Sequence, residues 1–434
     1  MSQLTIFAGM VWVVCVAGSA AAAATQAEQE EEQEEVETLE QLGDRIDVLA
    51  EELERMRSGE PEAPMTPEEA RERGLGRSAA SVYERTDAGV SIAGYGEMLY
   101  QNGAGTDQSG APVSTGARLD FLRAVLYFGY RFNDKFLFNS EIEIEHANEV
   151  GVEFAYIEYL AHPAASFRGG MLLVPMGLTN EFHEPTVFLS AARPETEQRL
   201  LPSTWRENGA GIVGSGGRVS YRAYVVNGLD ASGFDASGLR GGRQKGSAAE
   251  ASDPAFVARV DVEATPGVFV GGSIYHGDSS QGQFTDSLGD PFSVGTTIGE
   301  VHGQAAIRGL DVRGLWARTS LANAGLLNQA LGLAGADGVG SAIEGGYIQV
   351  GYDVLSQTMR EMSVTPFYRF EMLDTQAGVA PGSTKDPARD RTFHTFGASF
   401  APIPNVVVKA DYQWIRNEAA TGVDQFNFAL GYNF

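Results

Sequence analysis

The sequence predicts an all-β protein, a 16-stranded antiparallel transmembrane β-barrel preceded by a short N-terminal coiled-coil helix. From about residue 90 onward, apolar and polar residues alternate with a period of two over segments of about ten residues, the length with which a tilted strand crosses a bilayer. Sixteen such segments can be distinguished, and tight turns alternate with long loops between them. An even number of strands joined in this way is typical of a membrane barrel.

Composition excludes several other classes of protein. The 434 residues include 57 acidic and 31 basic side chains, which gives a formal net charge of −26. Nucleic acids bind mainly through cationic contacts to phosphate, so we expect no nucleic acid as a partner. The single cysteine, Cys15, permits neither a disulfide framework nor a cysteine-based metal site. No later apolar run reaches the roughly 18 residues that a membrane helix needs.

Residues 1–24 are predicted to be a signal peptide. Residues 4–17 form an apolar run, which is followed by Gly18, Ser19 and the alanines from Ala20 to Ala24. An apolar run that ends in small residues is the layout of a secretory signal, with cleavage expected near Ala24. The alternative is a membrane anchor, but the run is shorter than the roughly 20 residues that span a bilayer.

Residues 25–60 are predicted to form an acidic coiled coil. Apolar side chains recur there at spacings of three and four residues, the pattern of a seam between helices; they are Leu39, Leu42, Ile46, Leu49, Leu53 and Met56. Burying this seam between identical chains would stabilise a helix whose acidic side chains repel one another. The alternative is a solvated acidic tail that is only partly helical. Residues 61–89, with three prolines and mixed charge, are interpreted as a linker.

Residues 90–434 form the predicted barrel. Its strands are expected near residues 90–100, 118–131, 135–147, 150–160, 167–176, 208–214, 217–227, 255–264, 267–276, 297–308, 310–320, 343–354, 361–373, 391–401, 405–416 and 424–434. Lipid offers no hydrogen bonds, so a spanning sheet must close on itself with its apolar face outward. A barrel of this size encloses an aqueous channel. A soluble β-sandwich also alternates and is the alternative fold.

Residues 158–212 carry several distinctive motifs. They are Glu158-Tyr159, the run from Gly170 to Gly177, the run from Asn180 to Pro185, Arg193-Pro194 and the run from Pro202 to Glu207. Together with an acidic coiled coil before a sixteen-stranded barrel, they resemble the phosphate-selective porin family. The resemblance implies a homotrimer in the outer membrane of a Gram-negative bacterium, with both termini and the coiled coil in the periplasm. It also implies that a third outer loop, here residues 177–207, folds into the lumen as the constriction.

The expected function is therefore that of a porin, a water-filled channel through which small polar or anionic solutes diffuse. Phosphate-selective members of the family use a lysine-rich channel, whereas this chain has four lysines, so carboxylates are expected more than phosphate. The candidate pore and constriction residues are charged side chains of the lumenal strand faces and the third outer loop: Arg123, Arg193, Arg199, Arg206, Arg222, Glu181 and Glu184. Arginine can hold a carboxylate or phosphate group with two hydrogen bonds. Alternatively, these charges pair with one another and hold the loop in place.

Catalytic and metal-binding functions have less support in the sequence. Glu141, Glu143 and Glu145 share one strand face and could bind a divalent cation, but such rows usually line water, so no metal site is predicted. His183-Glu184 lacks the second histidine of a zinc protease. We therefore expect no catalytic residues and no cofactor. A barrel enzyme, and a structural tether whose coiled coil contacts the cell wall, are the alternatives.

Overall fold

The computed structural model describes residues 67–434, with the exception of residues 86, 163 and 359. The described residues belong to one compact unit, Pro64–Phe434. The predicted signal peptide, the predicted coiled coil and the first residues of the predicted linker lie outside the described residues. Within residues 67–434, no helix is both long and apolar enough to cross a membrane.

Sixteen strands form one closed antiparallel barrel. In chain order they are β1 (Gly89–Gly103), β2 (Arg118–Arg131), β3 (Phe136–Glu145), β4 (Glu149–His162), β5 (Ala165–Leu173), β6 (Arg206–Gly216), β7 (Val219–Asn227), β8 (Pro254–Thr265), β9 (Val268–Asp278), β10 (Gly295–Ile307), β11 (Leu310–Leu321), β12 (Ala342–Tyr352), β13 (Ser363–Gly378), β14 (Asp390–Ile403), β15 (Val406–Asn417) and β16 (Gln425–Asn433). Strand β1 closes the barrel against β16, with Gly96 opposite Tyr432. Closure leaves no unpaired strand edge, as a sheet surrounded by lipid requires. The predicted all-β class and the antiparallel barrel of sixteen strands are confirmed.

Short turns and long loops lie at opposite ends of the barrel. At the end where β1 begins and β16 ends, Gly217, Gly267 and Gly309 have φ values of 62°, 79° and 86° in three tight turns. Only glycine adopts this conformation without steric cost. We call this end the turn side and the other end the loop side. Three connections depart from the predicted alternation. On the loop side, β3 and β4 are joined by a short turn, and β15 and β16 by residues 418–424; on the turn side, β12 and β13 are joined by residues 353–362.

The outer face of the barrel is apolar and its inner face is polar. In β3, Phe136, Ile142 and Ile144 are exposed on the outside, whereas Glu141 and Glu143 are buried inside. Among the described residues, every other strand except β6 also exposes at least one large apolar side chain. This distribution suits a barrel whose outside is in contact with lipid chains.

Aromatic side chains cluster at the turn side of β2, β3 and β4. The ring centroids of Tyr130 and Phe132 lie 5.0 Å apart, and those of Phe136 and Tyr159 lie 4.8 Å apart. Rings of this kind are favoured at the boundary between lipid and water. Their position next to a tight turn fits one boundary of a membrane-embedded belt.

Two segments fill much of the barrel interior. The first, which we call the N-terminal segment, is residues 67–85 with helix α1 (Pro67–Glu72) and a 3-10 turn (Ala79–Val82). The second, which we call the inner loop, is residues 174–205 between β5 and β6, with helix α2 (Glu195–Arg199). Other loops contain helix α3 (Ala324–Ala330) and the 3-10 turns Ala231–Gly233, Arg240–Gly242, Gly335–Asp337 and Pro387–Arg389.

The N-terminal segment packs against the barrel wall, although the sequence suggested a linker here. Val82 and Tyr83 are buried, and Gly129 of β2 leaves room for Val82, since a Cβ atom at Gly129 would lie 2.4 Å from the Cβ of Val82. Arg73 Nη1 lies 2.6 Å from Glu158 Oε1, and the Tyr83 hydroxyl donates to Glu158 Oε2 at 2.6 Å. The apolar residues of this segment follow no regular period, which is why the sequence pattern does not predict this packing.

Candidate functional site

The inner loop is fixed where it enters and leaves the barrel wall. The Asn180 side-chain amide donates to the carbonyl oxygens of Val174 (2.7 Å) and Trp205 (2.9 Å), and Asn180 Oδ1 accepts from the N–H of Trp205 (2.6 Å). The Trp205 ring is buried and packs on Tyr275 of β9, with ring centroids 4.9 Å apart. Asn180 therefore ties the two ends of the loop together.

Side chains of the far wall hold the rest of the inner loop. Glu371 of β13 accepts the N–H of Thr196 at 2.5 Å, and Asp411 of β15 accepts the N–H of Ala191 at 2.6 Å. Strands β13 and β15 lie across the barrel from β5 and β6. The loop therefore crosses the lumen and narrows it, and it includes most of the segment that the sequence suggested as a constriction, residues 177–207.

Glu197 is a buried anchor within the inner loop. Its carboxylate accepts hydrogen bonds from the N–H groups of Leu178 (2.8 Å) and Thr179 (2.7 Å), and the Tyr347 hydroxyl of β12 donates to it at 2.6 Å. Hydrogen bonds to an ionised group are stronger than those between neutral groups. The sequence analysis did not select Glu197, because nothing in the spacing distinguishes it from the more exposed Glu195 on the same short helix.

Glu181, Glu184 and Arg222, three of the expected pore residues, form buried contacts. Glu181 Oε1 lies 3.2 Å from Arg222 Nε, and Arg222 Nη2 lies 2.8 Å from Asp261 Oδ2. Burial raises the pKa of Glu181, against the opposing effect of Arg222. Glu184 accepts from the backbone N–H of Ser78 at 2.9 Å, which links the inner loop to the N-terminal segment. These three side chains hold the loop in place, the alternative considered from the sequence.

Three of the expected arginines are paired with carboxylates. The pairs are Arg123 with Glu143 (3.3 Å), Arg206 with Glu153 (3.3 Å) and Arg199 with Glu195 (3.2 Å). The first pair is buried, and in the second Glu153 is buried and Arg206 is partly buried. The Arg199 side chain is 40% exposed, and an exposed pair contributes at most about 1 kcal/mol to stability. Arg199 is therefore the member of this set most accessible to a passing solute.

Arginines from two loops meet near the constriction. Arg240 of the β7–β8 loop lies close enough to Arg193 and Arg199 of the inner loop, and to Arg243 of its own loop, for their charges to repel one another. We call these four residues the arginine cluster. Arg240 Nη1 and Arg243 Nη1 donate to backbone carbonyl oxygens of the inner loop at 3.2 and 2.7 Å. Arg193 is buried, and its Nη2 atom forms no hydrogen bond within the described part of the chain.

The charge of the arginine cluster is only partly compensated. Burial, and then repulsion from the other three members, lowers the pKa of Arg240. Burial and the nearby Arg206 lower the pKa of Arg243. Glu145 of β3 opposes this effect at Arg240, and Glu153, Glu207 and Glu145 oppose it at Arg243. The hydrogen bonds of these two guanidinium groups go to neutral carbonyl oxygens of the inner loop.

Sequence reasoning missed Arg240 and Arg243. The available signal was a group of three basic residues, Arg240, Arg243 and Lys245, in a glycine-rich stretch of a long loop. It could not be interpreted, because contact between the β5–β6 and β7–β8 loops depends on how both fold over the lumen.

A cavity of about 170 Å³ lies between the inner loop, α1 and the wall from β7 to β11. Its lining is mixed in charge and partly apolar: Arg71, Glu72, Leu178, Phe182, Val187, Arg218, Ser220, Arg259, Asp261, Glu263, Phe269, Gln304 and Arg313. The cavity is large enough for water and a small solute. The cavity and most of the loop-side residues lie on opposite sides of the inner loop.

Comparison with known proteins identifies one relative. A protein from Aquifex aeolicus (strain VF5), described as "Uncharacterized protein", is 37% identical over 355 residues, which cover 78% of each chain. The chain belongs to the family of this Aquifex protein. No family model matches the sequence, so the resemblance of this family to phosphate-selective porins stays a prediction.

Solved structures of low sequence identity align with the barrel. The outer membrane channel DcaP of Acinetobacter baumannii has a TM-score of 0.49 and 11% identity, over 83% of this chain and 100% of the other. The anion-selective porin from Comamonas acidovorans has a TM-score of 0.48 and 11% identity, over 80% and 100%. Salmonella typhi OmpF, in complex with daunomycin, has a TM-score of 0.48 and 13% identity, over 80% and 97%.

Proposed function

We propose that this protein is a porin of a bacterial outer membrane, a water-filled channel for small solutes. The observation that carries the proposal is a closed sixteen-stranded barrel with an apolar outer face and a charged inner face. Barrels of this size are too wide for wall side chains alone to fill, so they enclose an aqueous path. The inner loop across the lumen is the natural place for that path to be narrowed.

We also propose that the channel prefers small anions, with carboxylates and phosphate as the candidate groups. The arginine cluster supports this preference, because its guanidinium groups rest on carbonyl oxygens and keep their positive charge available. The fork of an arginine can bind both oxygens of a carboxylate or phosphate. The net charge of the whole chain is negative, but an ion in the channel responds chiefly to the charges nearest to it.

The experiment that tests this preference is a reversal-potential measurement in a planar bilayer with a salt gradient. The wild type should favour the anion, and Arg240→Ala combined with Arg243→Ala should shift the reversal potential towards cation selectivity. The control is Arg318→Ala. Arg318 pairs with Glu344 and shares the outward face of β11 with the exposed Trp316, so its loss should leave selectivity unchanged.

Two results would contradict the anion proposal. One is a wild-type channel that favours cations, and the other is an unchanged reversal potential in the double variant. A bilayer that stays impermeable at high protein concentration would contradict the channel itself and would favour the structural tether.

A further inference from the structure

His183 of the inner loop directs one ring nitrogen at two carboxylates of the barrel wall. His183 Nε2 lies 3.1 Å from Glu141 Oε1 of β3 and 2.8 Å from Glu153 Oε2 of β4. Each of the three residues is at most 1% exposed. This group is distinct from the arginine cluster and from the row Glu141, Glu143 and Glu145 that the sequence suggested, since it joins two strands and the loop.

The hydrogen bonds around these three residues fix their orientation. His183 Nδ1 lies 2.8 Å from the carbonyl oxygen of Asn180, which can only accept, so Nδ1 carries a proton. The Tyr95 hydroxyl donates to Glu141 Oε1 at 3.1 Å, and Arg206 Nη1 donates to Glu153 Oε1 at 3.3 Å. Outer partners of this kind, a carbonyl for histidine and donors for carboxylates, are typical around metal ligands.

The arrangement needs a positive charge at its centre. With Nδ1 protonated, a neutral His183 presents a lone pair at Nε2 to two carboxylates. A proton on Nε2 would relieve the repulsion only in part, because one imidazolium charge would then face two buried carboxylates, and Glu141 Oε2 forms no hydrogen bond with any described residue. Buried polar atoms without partners are costly. A small cavity of about 20 Å³ borders Glu141.

We propose that Glu141, Glu153 and His183 bind a divalent transition-metal ion such as Zn²⁺. One imidazole and two carboxylates are a donor set that zinc accepts. One ligand atom from each of the three residues lies within 4.8 Å of the others. Ligands of a tetrahedral zinc ion lie about 3.3 Å apart, since each is about 2.0–2.1 Å from the metal. Small side-chain movements would therefore complete the site, which would fasten the inner loop to β3 and β4.

His302 provides a contrast inside the same barrel. Its Nδ1 lies 2.9 Å from Glu300 Oε2, and its Nε2 lies 2.7 Å from Asp261 Oδ1 and 2.9 Å from Arg259 Nη2. The two carboxylates therefore approach different ring nitrogens, and a guanidinium group, which repels a metal ion, lies beside Nε2. Among the described residues, only Glu141, Glu153 and His183 bring three potential ligand atoms together in this way.

The test is zinc binding by the full-length protein in detergent. After treatment with a chelator, the protein is titrated with ZnCl₂ by calorimetry, and its zinc content is measured after desalting. We expect one zinc per protomer for the wild type. His183→Ala and Glu153→Gln should each weaken binding at least tenfold, whereas His302→Ala should bind zinc like the wild type. Migration on unheated gels checks that each variant is a folded barrel.

Several outcomes would overturn the proposal. Wild-type protein that retains no zinc would show that a protonated His183 alone holds the two carboxylates. Equal binding by the wild type and both site variants would place the zinc elsewhere on the protein. If His183→Ala does not fold, Glu153→Gln decides, because it keeps the size and shape of the side chain and removes only the charged ligand. None of these results depends on whether the barrel conducts ions.

Discussion

Single side chains inside this barrel have one of two roles, and their partners distinguish them. Arg222 forms ion pairs with two carboxylates that compensate its charge, so its role is structural. Arg240 and Arg243 bind backbone carbonyls and keep their charge available. The sequence analysis selected Arg222 but neither Arg240 nor Arg243. It could not separate these roles, because the separation depends on which acid the fold places beside each one.

We predict that ion selectivity depends on pH through the charge of Lys245. Burial, followed by repulsion from Arg243 and Arg206, lowers its pKa. As pH rises, Lys245 therefore loses its charge earlier than an ordinary lysine, whose pKa is about 10.4. We expect anion preference, measured by reversal potential, to decline with rising pH before that value is reached.

A conservative variant tests the assignment of this decline to Lys245. Lys245→Arg should reduce it, since the pKa of an arginine starts from a higher ordinary value than that of a lysine. Lys385→Arg is the control, because Lys385 forms ion pairs with Asp374 and Asp390 away from the arginine cluster. An identical decline in the wild type and Lys245→Arg would show that another group titrates.

At the scale of elements, the strands could be predicted and the interior segments could not. A strand with lipid on one side and polar groups on the other has alternating apolar and polar residues in its sequence, so all sixteen strands could be predicted. The inner loop was indicated less strongly, by its length and its apolar residues. No sequence pattern indicated the packing of the N-terminal segment, because Val82 and Tyr83 contact residues of the wall that are far away in the chain.

We predict that the inner loop is held less firmly when its anchor Glu197 is lost. Glu197→Gln removes the charge that strengthens four hydrogen bonds, including a second one from Thr179 through its hydroxyl, so we expect the free energy of unfolding to fall by about 2–3 kcal/mol. We also expect larger current fluctuations in bilayers, because the loop would move. Glu195→Gln, on the same helix but partly exposed, should cost less than about 1 kcal/mol. Equal losses in the two variants would mean that Glu197 is not a special anchor.

At the scale of the whole molecule, the acidic N-terminal region is proposed to hold three protomers together. The proposal comes from the seam of apolar residues in 36–57 and from the family resemblance, which implies a trimer. Deleting residues 25–60 should leave a folded barrel, judged by migration on unheated gels, but should lower the temperature at which the oligomer dissociates. An unchanged dissociation temperature would favour a solvated tail.

The central claim, that the barrel is an open channel, is tested most directly by single-channel recording in a planar bilayer. Purified protein at low concentration should produce discrete, uniform steps of conductance, because each inserted molecule opens an aqueous path of fixed width past the inner loop. A membrane that stays electrically tight, although the protein has inserted as a folded barrel, would contradict the account.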